Sequence, residues 1–219
     1  MAVDKALQLD PDLLEATYEK TNILWRMQDD SSRQAALTLS QQFLQRVERQ
    51  GPIEQQIKAR IALGYARNAL GDSLQAVNEF LAGLQLAEEA GELALQEMLL
   101  ANLCRNYSGL DDYAKMVGTC HQGMAISISN RKEYYLGLLG YAYRRLGDTP
   151  TGIAYYKDSL KAARQKNDQA HKIWMLTNLG EAYVDADPPN YNESQRLLKE
   201  ALQLSDEPRF LAQKKLGSC

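Results

Sequence analysis

"LGYARNALGD", Leu63–Asp72, and "LGYAYRRLGD", Leu139–Asp148, agree at seven of their ten letters. Agreement of that length within one chain points to an internal repeat. A repeat must be settled before any other fold reading, because a repeated unit buries its apolar face against its neighbours. With Gly64 and Gly140 as markers, "LCRNY" at Leu103–Tyr107 and "LGEAY" at Leu179–Tyr183 bring Cys104 and Gly180 into register. Leu24, inside "NILWRM", is a weaker fifth match. Successive markers then stand 40, 40, 36 and 40 residues apart.

Two further sets of positions keep this register. Twelve residues after the markers come Ala36, Ala76, Met116 and Gly152, with Ser194 two places late after the inserted "DPPN". Nineteen residues after them come Phe43, Gly83, Gly123 and Ser159, with Ala201 under the same lag. Small residues at fixed distances let two helices approach closely; Phe43 breaks the pattern and makes the first copy the least secure. Between the marks the chain has a helical period, as in "IEQQIKARIALGYARNAL", with Ile53, Ile57, Ile61 and Leu63. Breakers follow at Gly71-Asp72, Asp111-Asp112, Gly147-Asp148 and Asp187-Pro188, and again at Gly51-Pro52, Gly91, Asn130, Asn167-Asp168 and Pro208. Glycine suits a left-handed helix C-terminus and the next polar residue suits an N-cap. The pattern predicts helix pairs: ten helices and a short eleventh.

A Leu-Gly pair, an aromatic nearby, "LGD" at the turn, and Ala with an aromatic in the second helix resemble the tetratricopeptide repeat. The resemblance covers about residues 12–206 and is strongest at 57–90 and 134–166. A spacing near 40 overlaps that of HEAT and armadillo repeats, but "LGYAYRRLGD" sets the chain apart from those and places it with the longer-repeat branch. What the resemblance implies is an all-α, right-handed α-solenoid superhelix of five antiparallel helix pairs, a single repeat domain over 1–219. Its repeats are expected at 12–50, 51–90, 91–130, 131–167 and 168–206, with a terminal helix at 207–217. "KALQLDP", Lys5–Pro11, looks like the end of a second helix, and "RFLAQKKLG", Arg209–Gly217, like the start of a first helix. Two readings of these ends stay open: capping helices, or a fragment of a longer array.

The same resemblance places the first helix of each pair on a concave face. One helical stripe then carries Tyr18, Thr21, Asn22, Trp25 and Gln28, then Lys58, Ile61, Tyr65 and Asn68. It continues through Met98, Asn102, Arg105 and Ser108, through Tyr134, Gly137, Tyr141 and Arg144, and through Trp174, Thr177, Asn178 and Glu181. Both tryptophans of the chain fall on it. Trp, Tyr and Arg dominate binding hot spots because they offer large contact area with a polar end. Asn22, Asn102 and Asn178 recur at one place, where an amide can donate to and accept from an extended backbone. The competing reading is that long repeats tolerate Asn on an open face and that aromatics there stack on neighbours. The carboxylate clamp known in this family is not matched: Asn102 supplies one element, but Ile61, Tyr65 and Gly137 or Leu138 stand where charged or amide groups belong. Lys58, Arg105, Arg144 and Arg145 outnumber Glu181 along the inner side, which favours an acidic or phosphorylated partner segment.

These readings make the chain a protein–protein interaction module that takes a peptide or helix of a partner in its groove. The alternative is the sensor or regulatory region of a larger bacterial signalling protein, a transcription regulator or cyclic-dinucleotide enzyme. Self-association through open ends is a further expectation. A net charge of −3 and a pI near 5.5 argue against a nucleic-acid partner, which calls for a basic face. No apolar run is long enough to span a bilayer, and Asp4, Asp10, Asp12 and Glu15 interrupt the segment a signal peptide needs, so no membrane partner and a cytoplasmic location are expected. Three cysteines suit a reducing compartment, with Cys104 and Cys120 read as small hydrophobes packed across a helix pair. No phosphate loop, metalloprotease helix or nucleophile elbow occurs. His121 and His171 sit in different repeats. No catalytic residue, metal or cofactor is expected.

Overall fold

The computed structural model describes residues 2–10, 13–128 and 130–205. Those residues form eleven helices and two compact units, Met1–Asp111 and Asp112–Cys219. The first unit holds α1 (Ala2–Leu9), α2 (Leu14–Leu24), α3 (Asp30–Val47), α4 (Ile53–Ala69), α5 (Ser73–Glu89) and α6 (Leu93–Gly109). The second holds α7 (Tyr113–Ile126), α8 (Lys132–Arg145), α9 (Thr149–Lys166), α10 (Gln169–Val184) and α11 (Tyr191–Ser205). Within each unit every helix packs on the next in sequence. The first helices of adjacent pairs also touch, α2 with α4 and α8 with α10. The expected terminal helix at 207–217 lies outside the described residues; among the described residues α1 is a further helix, preceding the first expected pair.

The letters "LGD" explain themselves in the turns. Gly71 and Gly147 adopt φ of 83° and 88°, the left-handed region in which a Cβ is costly. The N–H of Gly147 then bonds the Arg144 carbonyl, and that of Asp148 reaches back to the Tyr143 carbonyl at 2.9 Å, closing the orphan carbonyls of α8 in a Schellman motif. Asp148 also opens α9, its carboxylate accepting from the Thr151 N–H at 3.1 Å. The same double role falls to Asp72 between α4 and α5 and to Asp168 between α9 and α10. Asp29, Asp112 and Asn190 cap α3, α7 and α11. Hydrogen bonds from Ser31 and Ser32 lower the Asp29 carboxyl to about 2.

The marker glycines serve a different purpose. A Cβ on Gly64 would meet the Phe80 ring at 2.4 Å, and one on Gly140 the Tyr156 ring at 2.6 Å. Gly64 and Gly140 are therefore floors on which an aromatic of the second helix lies; at Gly180 a Cβ would meet Leu198 instead, at 2.9 Å. Gly152 answers from α9: a Cβ there would stand 2.8 Å from the Gly140 carbonyl oxygen. Around these contacts each unit has its own core, with Ile57, Ile61, Leu99 and Leu103 in the first and Tyr135, Leu139, Tyr156, Met175 and Leu176 in the second, all fully buried. Phe43, which departs from the small-residue pattern, packs with Val47 and Ala59 in its own cluster.

Cys104 and Cys120 are completely buried, as their reading as core residues required. Both are disulfide-bonded, which corrects their reading as thiols. A disulfide is a state that a reducing compartment disfavours, so these two residues lend no support to a cytoplasmic location. No helix among the described residues is long and apolar enough to cross a membrane.

Candidate binding surfaces

In the first unit the predicted stripe is an aromatic stack held by amides. The Trp25 ring lies on that of Tyr65, centroids 4.9 Å apart at 30°, and Tyr65 meets Phe80 edge-on at 5.7 Å. Asn22 accepts from the Trp25 indole N–H at 3.3 Å. Asn102 on α6 donates from Nδ2 to the Tyr65 hydroxyl and to the Met98 carbonyl, both at 2.9 Å, and its Oδ1 accepts from Arg105. Both hydrogens of the Asn102 amide are thus used inside the chain. Asn22 and Asn102 are buried, so the expected row of free amides becomes a set of supports for rings. Thr21 and Ile61, assigned to the stripe, are fully buried as well. Tyr18, Trp25, Tyr65 and Asn68 remain half-buried and Arg105 is exposed.

Lys58 reaches over the Tyr18 ring, 5.8 Å from its centroid, and its ammonium pairs with both Glu15 and Glu54 at 2.9 Å. Burial raises the Tyr18 phenol above its ordinary value. The Lys58 hydrogen bond lowers the Glu15 carboxyl. This cation is therefore already neutralised.

The second unit repeats the scheme. Trp174 and Tyr134 face one another with centroids 6.0 Å apart, and the space over Gly137 is filled by the Met175 thioether and the Trp174 ring, which a Cβ would meet at 2.9 and 3.1 Å. Tyr141 is edge-on to Tyr113 at 6.1 Å. Asn178 donates to the Trp174 carbonyl at 2.8 Å and accepts from the Tyr156 hydroxyl at 3.4 Å. Burial pushes the Tyr156 phenol well above its ordinary value. Arg144, its side chain 15 % exposed, pairs with Glu181 at 3.0 Å and with Asp185 at 3.1 Å. Two of the four cations counted on the inner side, Lys58 and Arg144, thus have carboxylate partners within their own unit.

Two polar clusters escaped the sequence reading. Buried Glu79 takes Arg60 at 2.8 Å and Arg67 at 3.4 Å, while Arg60 also holds Glu48 at 2.8 Å. In the second unit the Ser159 hydroxyl donates to the Glu133 carbonyl at 2.7 Å and lies 2.8 Å from His171 Nε2. With the hydroxyl hydrogen on the carbonyl, Nε2–H donates to Oγ, which sets the neutral tautomer. Lys166 joins by pairing with the Glu133 carboxylate at 2.7 Å and by donating to the Asn130 carbonyl. Burial lowers the His171 imidazole below its ordinary value. Ser159 is completely buried, so this Ser–His pair has no access to a substrate and serves packing. Among the described residues no three His, Cys, Asp or Glu side chains are gathered to hold a metal.

Solved structures decide the fold class. BtubC (BKLC) from P. vanneervenii superimposes with a TM-score of 0.77 at 16% identity, over 93% of this chain and 85% of that one. The fold is that of the tetratricopeptide repeat. A Podosopora anserina putative kinesin light chain with nearly identical tetratricopeptide-like repeats gives a TM-score of 0.73 at 16% identity, over 90% of this chain and 96% of that one. The tetratricopeptide repeat sensor protein PH0952 from Pyrococcus horikoshii, a signal transduction ATPase with numerous domains, gives 0.74 at 14% identity, over 93% of this chain but 31% of that one. No family model and no curated protein matches the sequence. The tetratricopeptide-like fold accounts for the helix pairs, the caps and the marker glycines, and it brings the first-helix aromatics together within each unit.

Proposed function

We propose that the chain is a protein–protein interaction module that binds a peptide or helix of a partner on its first-helix aromatics. The observation that carries this reading is the half-exposed aromatic stack of each unit, Trp25 on Tyr65 and Trp174 beside Tyr134. Buried Asn22 and Asn102 hold the first stack, and Asn178 bonds the backbone of Trp174. Rings fixed in this way lose little side-chain freedom on binding and offer apolar area with a polar edge. Because Lys58 and Arg144 are paired internally, aromatic contact leads recognition, and preference for an acidic segment falls to the exposed Arg105 and Arg145. The test is capture of partner proteins, followed by peptide arrays, with Trp25→Ala/Tyr65→Ala and Trp174→Ala/Tyr141→Ala variants whose helicity matches the parent. Loss of capture in either variant supports the reading; capture unchanged in both overturns it.

The second reading is a sensor or regulatory region of a larger bacterial signalling protein. It is favoured by the likeness to the PH0952 repeat sensor, of which this chain spans about a third. Sequencing the gene on both sides of the segment tests it: an adjoining regulator or enzyme domain supports it, and stop signals on both sides sink it.

A further inference from the structure

We propose that the groove between α9 and α11, the second helices of their pairs, is a docking site for an extended acidic segment of a partner protein. The groove has a volume of about 380 Å³. Leu160 of α9, Leu179 of α10 and Leu197 of α11 form its floor, each no more than 5% exposed. These side chains are committed to the core, so the walls decide what the groove can hold. From α9 come Lys157, Lys161 and Arg164 at i, i+4 and i+7, the spacing of one helical face. From α11 come Glu193 and Arg196. None of Tyr134, Tyr141 and Trp174 lines this groove, so its occupant is independent of anything held by the first-helix aromatics.

Charge selects the occupant. Arg196 holds Glu193 at 2.6 Å and Glu200 at 3.4 Å, and Arg164 reaches Glu200 at 2.8 Å. Two carboxylates thus answer two guanidinium groups in a ladder that ties α9 to α11. Lys157 and Lys161 are left over. Neither forms an ion pair with a described residue, and Lys157 lies instead over the Tyr183 ring, 5.5 Å from its centroid. Asp158, the remaining carboxylate of α9 and α11, does not line the groove. Four cations against two carboxylates leave two positive charges here, on a chain whose net charge is −3. By contrast Lys58, Arg60, Arg144 and Lys166 all have carboxylate partners. Two residues four apart on a helix stand about 6 Å apart along its axis, and alternate residues of an extended chain about 6.6 Å apart. Carboxylates at positions i and i+2 of an extended segment therefore meet both lysines in register. The Arg164–Glu200 bridge crosses the groove at one end, which bars a helix from lying along its length.

Titration of the nitrogen-15-labelled full chain with a Glu-Val-Glu-Val-Glu peptide, followed by NMR, tests this; valine keeps the probe extended. Amides of 157–164 and 193–197 should shift, and those of α2 and α4 should not. Lys157→Gln/Lys161→Gln removes two exposed side chains that make no ion pair in the fold, and should weaken binding by about three- to tenfold, the range that two exposed ion pairs account for. Added salt should weaken binding to the parent, and Trp174→Ala/Tyr141→Ala should bind as the parent does. Absence of shifts along the groove overturns the proposal, as does an affinity untouched by the double lysine substitution. Loss of binding in Trp174→Ala/Tyr141→Ala alone assigns the peptide to the aromatic surface and overturns it too. So does equal binding of a Gln-Val-Gln-Val-Gln peptide, and so does inorganic phosphate that shifts the same amides with equal affinity, which marks the groove as a general anion patch.

Discussion

The Tyr156 ring lies over Gly140 so closely that a single added methyl group would come within 2.6 Å of it. Tyr156 is fully buried and cannot retreat without giving up its hydrogen bond to Asn178. Gly140→Ala is therefore expected to cost about 1–3 kcal/mol through overpacking, read from the urea midpoint at unchanged m-value. Gly140→Ala with Tyr156→Leu should recover part of that loss; if Gly140→Ala is neutral, the contact does not hold the pair together.

Gly147 gives the opposite kind of glycine dependence. Nothing lies within 4 Å of a Cβ built there, yet its φ is 88°. Gly147→Ala should then lose about 1 kcal/mol from backbone strain alone, and Gly147→Asn distinctly less, because Asn tolerates the left-handed region. Asn167 already does so at the end of α9 with φ of 54°. Equal losses for Ala and Asn would contradict this account.

His171 should make the fold acid-sensitive above the range of the carboxylates. The groups facing it are Asp168, Glu133 and Lys166, and burial outweighs the two carboxylates to keep its imidazole below the ordinary 6.5. The unfolded chain takes up a proton near 6.5 while the folded chain does not. Stability is thus full above that pH and declines as pH falls from 6.5 towards the lowered folded value. Urea midpoints at pH 7.5 and 5.5 check it: the fall seen in the parent should shrink in His171→Gln. An equal fall in both proteins would show that other groups carry it.

Arg144 is expected to matter more for the fold than for charge recognition. Its two partners, Glu181 and Asp185, are each about half exposed, so solvent screens the pairs. Arg144→Met should cost about 1 kcal/mol, shrinking at high salt. A double-mutant cycle with Glu181→Gln should show positive coupling. Zero coupling would mean that Arg144 is free for a partner after all.

Much of the fold was legible because the repeat is written in residues whose roles are local or periodic. Gly71, Gly147, Asp72 and Asp148 announce the turns by backbone chemistry that needs no distant partner. Gly64 and Gly140 announce close packing by recurring at one interval. The binding surfaces were legible in direction but not in depth. Helical phase puts Asn22, Asn102 and Ile61 on the inner side, but whether such a residue reaches the surface depends on the size of its neighbours across the pair. Tyr65, from the adjacent helix pair, turns Asn102 into a support. The clusters around Glu79 and His171 were invisible for a related reason. Ser159, Glu133 and His171 come from three different helices, and no spacing in the sequence marks residues that meet only after those helices have packed. The oxidised state of Cys104 and Cys120 gave no signal in their separation.

Asp148 belongs to two helices at once, its N–H finishing α8 and its carboxylate starting α9. The turn consequently has no spare residue, and its length fixes the rotational phase of one helix against the other. One residue inserted between Arg145 and Thr149 would turn α9 by about 100°, swinging Gly152 off the Gly140 carbonyl and Tyr156 off its glycine floor. Length variation is shut out of these turns. It is admitted after α10, where Asn190 caps α11 and its N–H returns to the Tyr183 carbonyl, and that is where the last copy carries its two extra residues.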